Sequence, residues 1–236
     1  MVNIKDEIYP DEMLEEYDLV LEAYPQISKL KKKAAEIVNN HIAQEKDLQI
    51  IDIGSGTGEE LRYILEKNQS ITIFAVDNDK RMIKRLKKNL KQYIKSKNVI
   101  PVCEDIFKYI KTLESSSFTA VTSFWTIHNF TKTERKELLK KIYRILKSNG
   151  IFVNMDKYVY DDPEKEQKSF DEAVSRLKSI SNKKVAETAI KHEQEDRHPD
   201  IIMKENESAA EMKKIGFKNI KFHDRIARET IMSCLK

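Results

Sequence analysis

Residues 48–60 read LQIIDIGSGTGEE: an apolar run containing Asp52, glycines at 54, 56 and 58, and two glutamates directly after the last glycine. An apolar run that passes through alternate glycines into a helical pattern marks the first strand-to-helix turn of an open α/β sheet. In such a sheet a ligand lies beyond the carboxyl ends of the strands, where the strand order reverses. Apolar runs of strand length recur at 71–77, 98–105, 118–125 and 150–158, separated by amphipathic segments. That alternation predicts parallel strands with helices on both faces.

Between the runs, helix signals are local. Asp79 is placed to cap a helix reaching about 97, with Ile83, Leu86, Leu90 and Ile94 on one face. Thr131 and Glu134 form a capping-box pattern for a helix carrying Leu138, Leu139, Ile142, Ile145 and Leu146, predicted to stop at Asn149-Gly150. Residues 160–204 are polar and read as a helical insertion over the sheet's edge. The tail predicts a helix at 205–214, a cap at Gly216, and a hairpin of NIKFHD with ARETIMSC. Ahead of the sheet, 11–23 and 26–45 read as helices broken at Tyr24-Pro25. The expected division is an N-terminal helical lid, 1–47, ending in the charged hinge 44–47, and a sheet domain, 48–236.

The glycine spacing bears on the ligand. The dinucleotide fingerprint is G-x-G-x-x-G, whereas here the third glycine falls at 58 and the next position is Glu59. A pyrophosphate needs an unopposed helix N-terminus, and Glu59 with Glu60 places two carboxylates in that first turn. S-adenosylmethionine has no phosphate and carries a sulfonium and an ammonium, so an acidic turn suits it. The same glutamates also complement the helix dipole, a role that accounts for them equally well. Asp77 ends the second run 19 residues after Gly58, the spacing at which a carboxylate meets ribose hydroxyls. Asp105 ends the third, where it is placed to accept from an adenine amino group, with the amide of Ile106 beside it. A single Asp at a strand end is usually a cap; three acids on successive strands suggest a site.

IDIGSGTGEE, then VDNDKRMIKRLKKN, CEDIF, SFWTIHNF and KIYRILKSNGIFVNMD, resembles class I S-adenosylmethionine-dependent methyltransferases over at least residues 48–158. The tail IGFKNIKFHDRIARETIMSC resembles that family's closing antiparallel pair. The resemblance implies an α/β, Rossmann-like seven-stranded sheet with its last strand antiparallel. It implies that Asp52, Gly54, Ser55, Gly56 and Gly58 surround the methionine part of the cofactor S-adenosyl-L-methionine and that Asp77 holds its ribose. It also implies that Asn78 and Met82 lie near the adenine and that Asp105 and Ile106 hold its amino edge. KELLKKIYRILKSNGIFVNMDKYVYDD is in addition similar to carboxy-S-adenosylmethionine synthases, which use basic residues for a carboxylated cofactor.

Methyl transfer from a sulfonium is an in-line displacement, so alignment and water exclusion matter more than proton removal. Candidates facing the acceptor are Trp125, His128 and Asn129 after the fourth strand, and Tyr17 and Tyr24 in the lid. His128 is the candidate base, and Trp125 a stacking surface for substrate or adenine. Each has a structural alternative: His128 and Asn129 as turn residues, the aromatic residues as packing. His192, Glu193, Asp196 and His198 lack metal-ligand spacing and read as solvated surface, so no metal is expected. Lys31-Lys32-Lys33 and the lysines of 84–97 read as solvated faces.

With 43 basic and 39 acidic side chains the net charge is +4, too mixed to argue for a nucleic-acid partner. The expected partner is a small molecule, and the expected state a monomer or homodimer. Two cysteines, Cys103 and Cys234, and the lack of an apolar run of about 18 residues predict a cytoplasmic protein outside the membrane. The expected function is methyl transfer to a small molecule. The alternatives are a tRNA-related enzyme, either methylating RNA or making a carboxylated cofactor, and a non-catalytic adenosylmethionine-binding protein.

Overall fold

Strand β1 (Leu48–Ile53) lies inside the sheet because both of its faces are apolar: Leu48 and Ile50 point to one side, Ile51 and Ile53 to the other. The computed structural model describes residues 17–43, 48–68 and 70–236; the expected hinge, 44–47, lies outside them. Parallel to β1 run β2 (Ile71–Asp77), β3 (Val99–Cys103), β4 (Phe118–Phe124) and β5 (Leu146–Lys157). Strand β7 (Glu229–Leu235) is antiparallel to both β5 and β6 (Lys218–Ile226). The seven-stranded order is β3-β2-β1-β4-β5-β7-β6. The chain winds outward from β1 in one direction and resumes at β4 in the other, so the reversal falls between β1 and β4.

Helices cover both faces. On one lie α1 (Tyr17–Glu22), α2 (Gln26–Ile42), α3 (Leu61–Leu65), α4 (Lys80–Asn89) and α5 (Lys91–Lys95). On the other are α6 (Ile106–Thr112) and α7 (Lys132–Ile145). Farther along, α8 (Pro163–Lys178) and α9 (Lys183–Glu195) pack together and on the first face, while α10 (Glu205–Ile215) packs against α7. Asp79 caps α4 by accepting from the Arg81 amide, and Thr131 with Glu134 forms the full capping box of α7. Gly216 ends α10 at φ +118°, a left-handed conformation that suits glycine.

Three local expectations are corrected. The helix expected over 79–97 breaks at Leu90 (φ −109°, ψ 23°) into α4 and α5. Helix α7 ends at Ile145, ahead of Asn149-Gly150. Its last carbonyls are taken from outside: the amides of Ser116 and Ser117 donate to Arg144 and Ile145, and the Lys236 ammonium donates to Arg144 and Leu146. Helix α9 packs against α8 and α1, and its end reaches Lys157 at the end of β5, an interior strand, instead of lying over an edge. Lys157, the last residue of β5, pairs there with Glu193 and Asp196. Among the described residues no helix is long and apolar enough to cross a membrane.

Candidate functional site

Beyond the end of β1 the chain turns back over β2: the amides of Gly54 and Ser55 both donate to the Val76 carbonyl, at 2.9 and 3.0 Å. Gly54 has φ +69°, and a Cβ there would come within 2.3 Å of Thr126, whose hydroxyl donates to the Gly54 carbonyl. Gly58 (φ +71°) makes room for Leu86 and Leu90, so the close packing it permits is with α4 and not with the helix that directly follows.

This turn, the ends of β2, β3 and β4, and α2 enclose a cavity of about 740 Å³. Of the residues singled out by sequence, Gly54, Gly56, Asp77, Asn78, Met82, Asp105, Ile106, Trp125 and Asn129 line it. Asp77 accepts from the Gly56 amide at 2.8 Å through one oxygen and from the Asp79 amide at 2.9 Å through the other. Each oxygen keeps a second lone pair. Burial raises the Asp77 pKa, against these two amide bonds, which lower it. Asp105 caps α6, accepting from the Lys108 amide at 3.0 Å.

Asp52 and Ser55 stand beneath the turn, fully buried, and do not line the cavity. The Ser55 hydroxyl donates to the Asp52 carbonyl, and Asp52 Oδ1 accepts from the Thr122 hydroxyl at 2.7 Å. Burial, with the charge of Glu60 adding to it, pushes the Asp52 pKa up from 3.8 to about 7. A carboxyl whose folded pKa is raised holds its proton better when folded, so its contribution to stability declines as pH rises from about 4 to 7 and then levels off. Relative to Asp52→Asn, the wild type is therefore expected to lose on the order of 1.4 kcal/mol per pH unit across that window. Urea unfolding of both proteins at pH 5 and pH 7 measures it, and parallel stability curves would refute the assignment.

The expected substrate side is organised differently. Trp125 lies just past β4 at φ +58°, strained for a bulky side chain, with its amide donating to the Met155 carbonyl at 2.7 Å. Its ring lines the cavity, and its buried indole Nε1 has no hydrogen-bond partner among the described residues. Behind it, Tyr24 packs edge-on at 5.0 Å and Lys157 Nζ lies 5.2 Å from the ring centroid. Tyr24 does not line the cavity; it is buried, and its hydroxyl donates to Glu193 at 3.0 Å. His128 is also outside the cavity lining: its Nδ1 lies 2.5 Å from Asp156, which in addition accepts from the His128 amide. Tyr17 opens α1, but its side chain lies outside the described residues.

Glu193 and Asp196 are buried, correcting their reading as solvated surface. Lys157 Nζ stands 2.7 Å from Glu193 and 2.5 Å from Asp196, and Arg228 pairs with Glu193 and, at 3.1 Å, with Glu166. Burial works against the charges of Lys157, Glu193, Asp196 and Arg228, yet Asp196 and Glu193 hold Lys157 well above the usual lysine range. The Lys157 charge in turn holds Glu193 below, and Asp196 well below, the usual carboxylate range. Lys31, in the run read as a solvated face, is buried too and lines the cavity with Glu60. Its position one step from Leu30 on the inward face of α2 was the available signal, but its partner lies 29 residues away.

Residues 51–154 match the model of the methyltransferase domain family. Among curated proteins, the carboxy-S-adenosyl-L-methionine synthase of Nautilia profundicola is 28% identical over 127 residues, covering 54% of this chain and 51% of the relative. That of Shewanella woodyi is 29% identical over 147 residues, covering 61% and 58%. The chain thus spans little more than half the length of these relatives. Among solved structures, an S-adenosylmethionine-dependent methyltransferase from Aquifex aeolicus superposes with a TM-score of 0.58 at 13% identity, covering 96% of this chain and 97% of that one. Phosphoethanolamine N-methyltransferase 2 of Haemonchus contortus superposes at 0.60 with 14% identity, covering 86% and 52%. Residues 51–154 are thus a methyltransferase domain, the seven-stranded sheet around them has the class I methyltransferase fold, and the chain has distant similarity to the carboxy-S-adenosylmethionine synthases.

Proposed function

We propose that the protein binds S-adenosylmethionine in the 740 Å³ cavity and transfers its methyl group to a small-molecule acceptor by in-line displacement. The observation that carries this reading is the meeting of the glycine turn with the Asp77 and Asp105 carboxylates in one cavity large enough for a cofactor and a small acceptor. The cavity fits the cofactor in one further respect: the Asp77 oxygens retain lone pairs for a vicinal diol.

When bound, the sulfonium supplies an activated methyl group and a good leaving group. The protein's own part is placement. The turn fixes the ligand against β1 and β2, while Ile106 and Met82 give an apolar wall for the adenine. Trp125, Thr126 and Asn129 shape the side of the cavity where an acceptor meets the methyl group. Methyl transfer to a nucleophilic acceptor needs no base, and His128, tied to Asp156 behind Trp125, is not given that role.

A second reading, formation of a carboxylated adenosylmethionine, is favoured by the similarity to synthases of that product over 54% to 61% of this chain. Native mass spectrometry of the purified protein separates the two, since adenosylmethionine, its demethylated product and the carboxylated form differ in mass. Asp77→Ala is expected to weaken S-adenosylhomocysteine binding by about 1–3 kcal/mol in calorimetry. Unchanged affinity would remove Asp77 from the site.

A further inference from the structure

The net charge of +4 conceals an uneven distribution: nine of the 43 basic side chains and none of the 39 acidic ones fall in residues 80–97, leaving 34 basic against 39 acidic elsewhere. Helices α4 and α5 carry that excess. Met82, Ile83, Leu86 and Leu90 are buried, which leaves Lys84, Lys87, Lys88, Lys91 and Lys95 exposed on the outer side. Arg81 and Arg85 pair with Asp79 and Asp18, but none of these five lysines has an acidic partner among the described residues. Lysines three and four positions apart on a helix repel each other, and an anion laid over them relieves the repulsion. Lys88, Lys91 and Lys95 border a groove of about 560 Å³, together with Gln92, half-buried Tyr93 and one acid, Glu66. An anionic membrane calls for apolar side chains among the lysines, and no large apolar residue of 84–97 is exposed.

We propose that α4 and α5 form a docking surface for single-stranded RNA. The five lysines meet successive phosphates, while Tyr93 offers a ring for a base to stack on and Gln92 an amide for a base edge or a 2′-hydroxyl. Unpaired bases suit a groove that places one aromatic ring among cations, whereas a duplex keeps its bases stacked inside. None of these residues lines the cavity beside the glycine turn, so the surface is separate from the methyl-transfer site and does not rest on the function proposed above. It gives a chain of small net charge a strongly cationic face with a defined place for nucleic acid.

Fluorescence anisotropy of the full chain with a labelled single-stranded RNA of about 12 nucleotides tests this. Neutralising four phosphates predicts binding on the order of twentyfold weaker for threefold more salt. Lys88→Gln, Lys91→Gln and Lys95→Gln together change exposed side chains only, and are expected to lose roughly tenfold or more in affinity and flatten the salt dependence, with the urea midpoint unchanged. Lys165→Gln, Lys168→Gln and Lys178→Gln remove the same charge from exposed positions of α8 and should bind as the wild type does. Tyr93→Leu keeps an apolar side chain against the core and is expected to lose about fivefold or more, with the salt dependence unaltered. No binding at about 50 mM salt, or equal losses in the two triple variants, overturns the proposal. Equal affinity for DNA of the same sequence overturns the assignment to RNA, and sedimentation with phosphatidylserine vesicles but no RNA binding overturns it in favour of a membrane.

Discussion

Lys157→Met is expected to destabilise the fold by about 3–5 kcal/mol, the cost of leaving the buried Asp196 carboxylate without its lysine and Glu193 with Arg228 alone. Methionine fills the lysine's volume, so the loss is electrostatic: Glu193 and Asp196, at 2.7 and 2.5 Å from Nζ, stay buried and charged. Urea unfolding followed by the emission of Trp125, the one tryptophan, measures it. The penalty also has a pH signature. In the wild type both carboxylates have depressed folded pKa values, so their contribution is present above their unfolded values of 4.5 and 3.8 and is lost as pH falls through the folded ones. The variant lacks that contribution, so its curve approaches that of the wild type below about pH 4. Adding Glu193→Gln and Asp196→Asn should recover most of the loss at neutral pH. A cost below about 1 kcal/mol would place the network among the ion pairs that contribute little.

Gly54→Ala is expected to be the most damaging single-methyl change at the site. The new Cβ would lie 2.3 Å from the Thr126 side chain, at φ +69°. The left-handed conformation costs roughly 1–2 kcal/mol for an L-residue, and the overlap about 1–3 kcal/mol more. Thr126 cannot retreat cheaply, because its hydroxyl bonds the carbonyls of Gly54 and Phe124. The variant should therefore unfold some 2–5 kcal/mol more easily and lose S-adenosylhomocysteine binding as the turn is pushed into the cavity. Combining it with Thr126→Gly removes the overlap and leaves the backbone strain, so partial recovery of stability is expected. Equal stability of Gly54→Ala and wild type would show that the turn is free to move.

Much of this architecture was legible because its causes are local. The five parallel strands are apolar runs, the caps at Asp79 and Thr131 act within three residues, and Gly216 ends α10 by its own backbone freedom. The closing hairpin was legible for the same reason. What escaped depends on distant partners. Lys31 read as solvated because nothing within α2 shows that Glu60 waits for it, and Glu193 because Lys157 arrives from the end of β5 and Arg228 from the turn between β6 and β7. The end of α7 was misplaced since its apolar period continues through Leu146, and only the amides of Ser116 and Ser117 show where the helix stops. His128 and Tyr24 lie close to Trp125, yet the buried network holds both behind it.

The position of β7 has a consequence for how the chain comes into being. It is the last strand in sequence order, yet it sits between β5 and β6 and pairs with β5 along Ile151–Lys157. While the chain emerges from the ribosome, β5 is thus an unprotected edge, its backbone groups and apolar Ile151, Val153 and Met155 open to any passing strand. Arg228, which neutralises Glu193 and Glu166, arrives with the same segment. Sealing the edge and neutralising the buried acids are therefore one event, since both wait for residues 228–235.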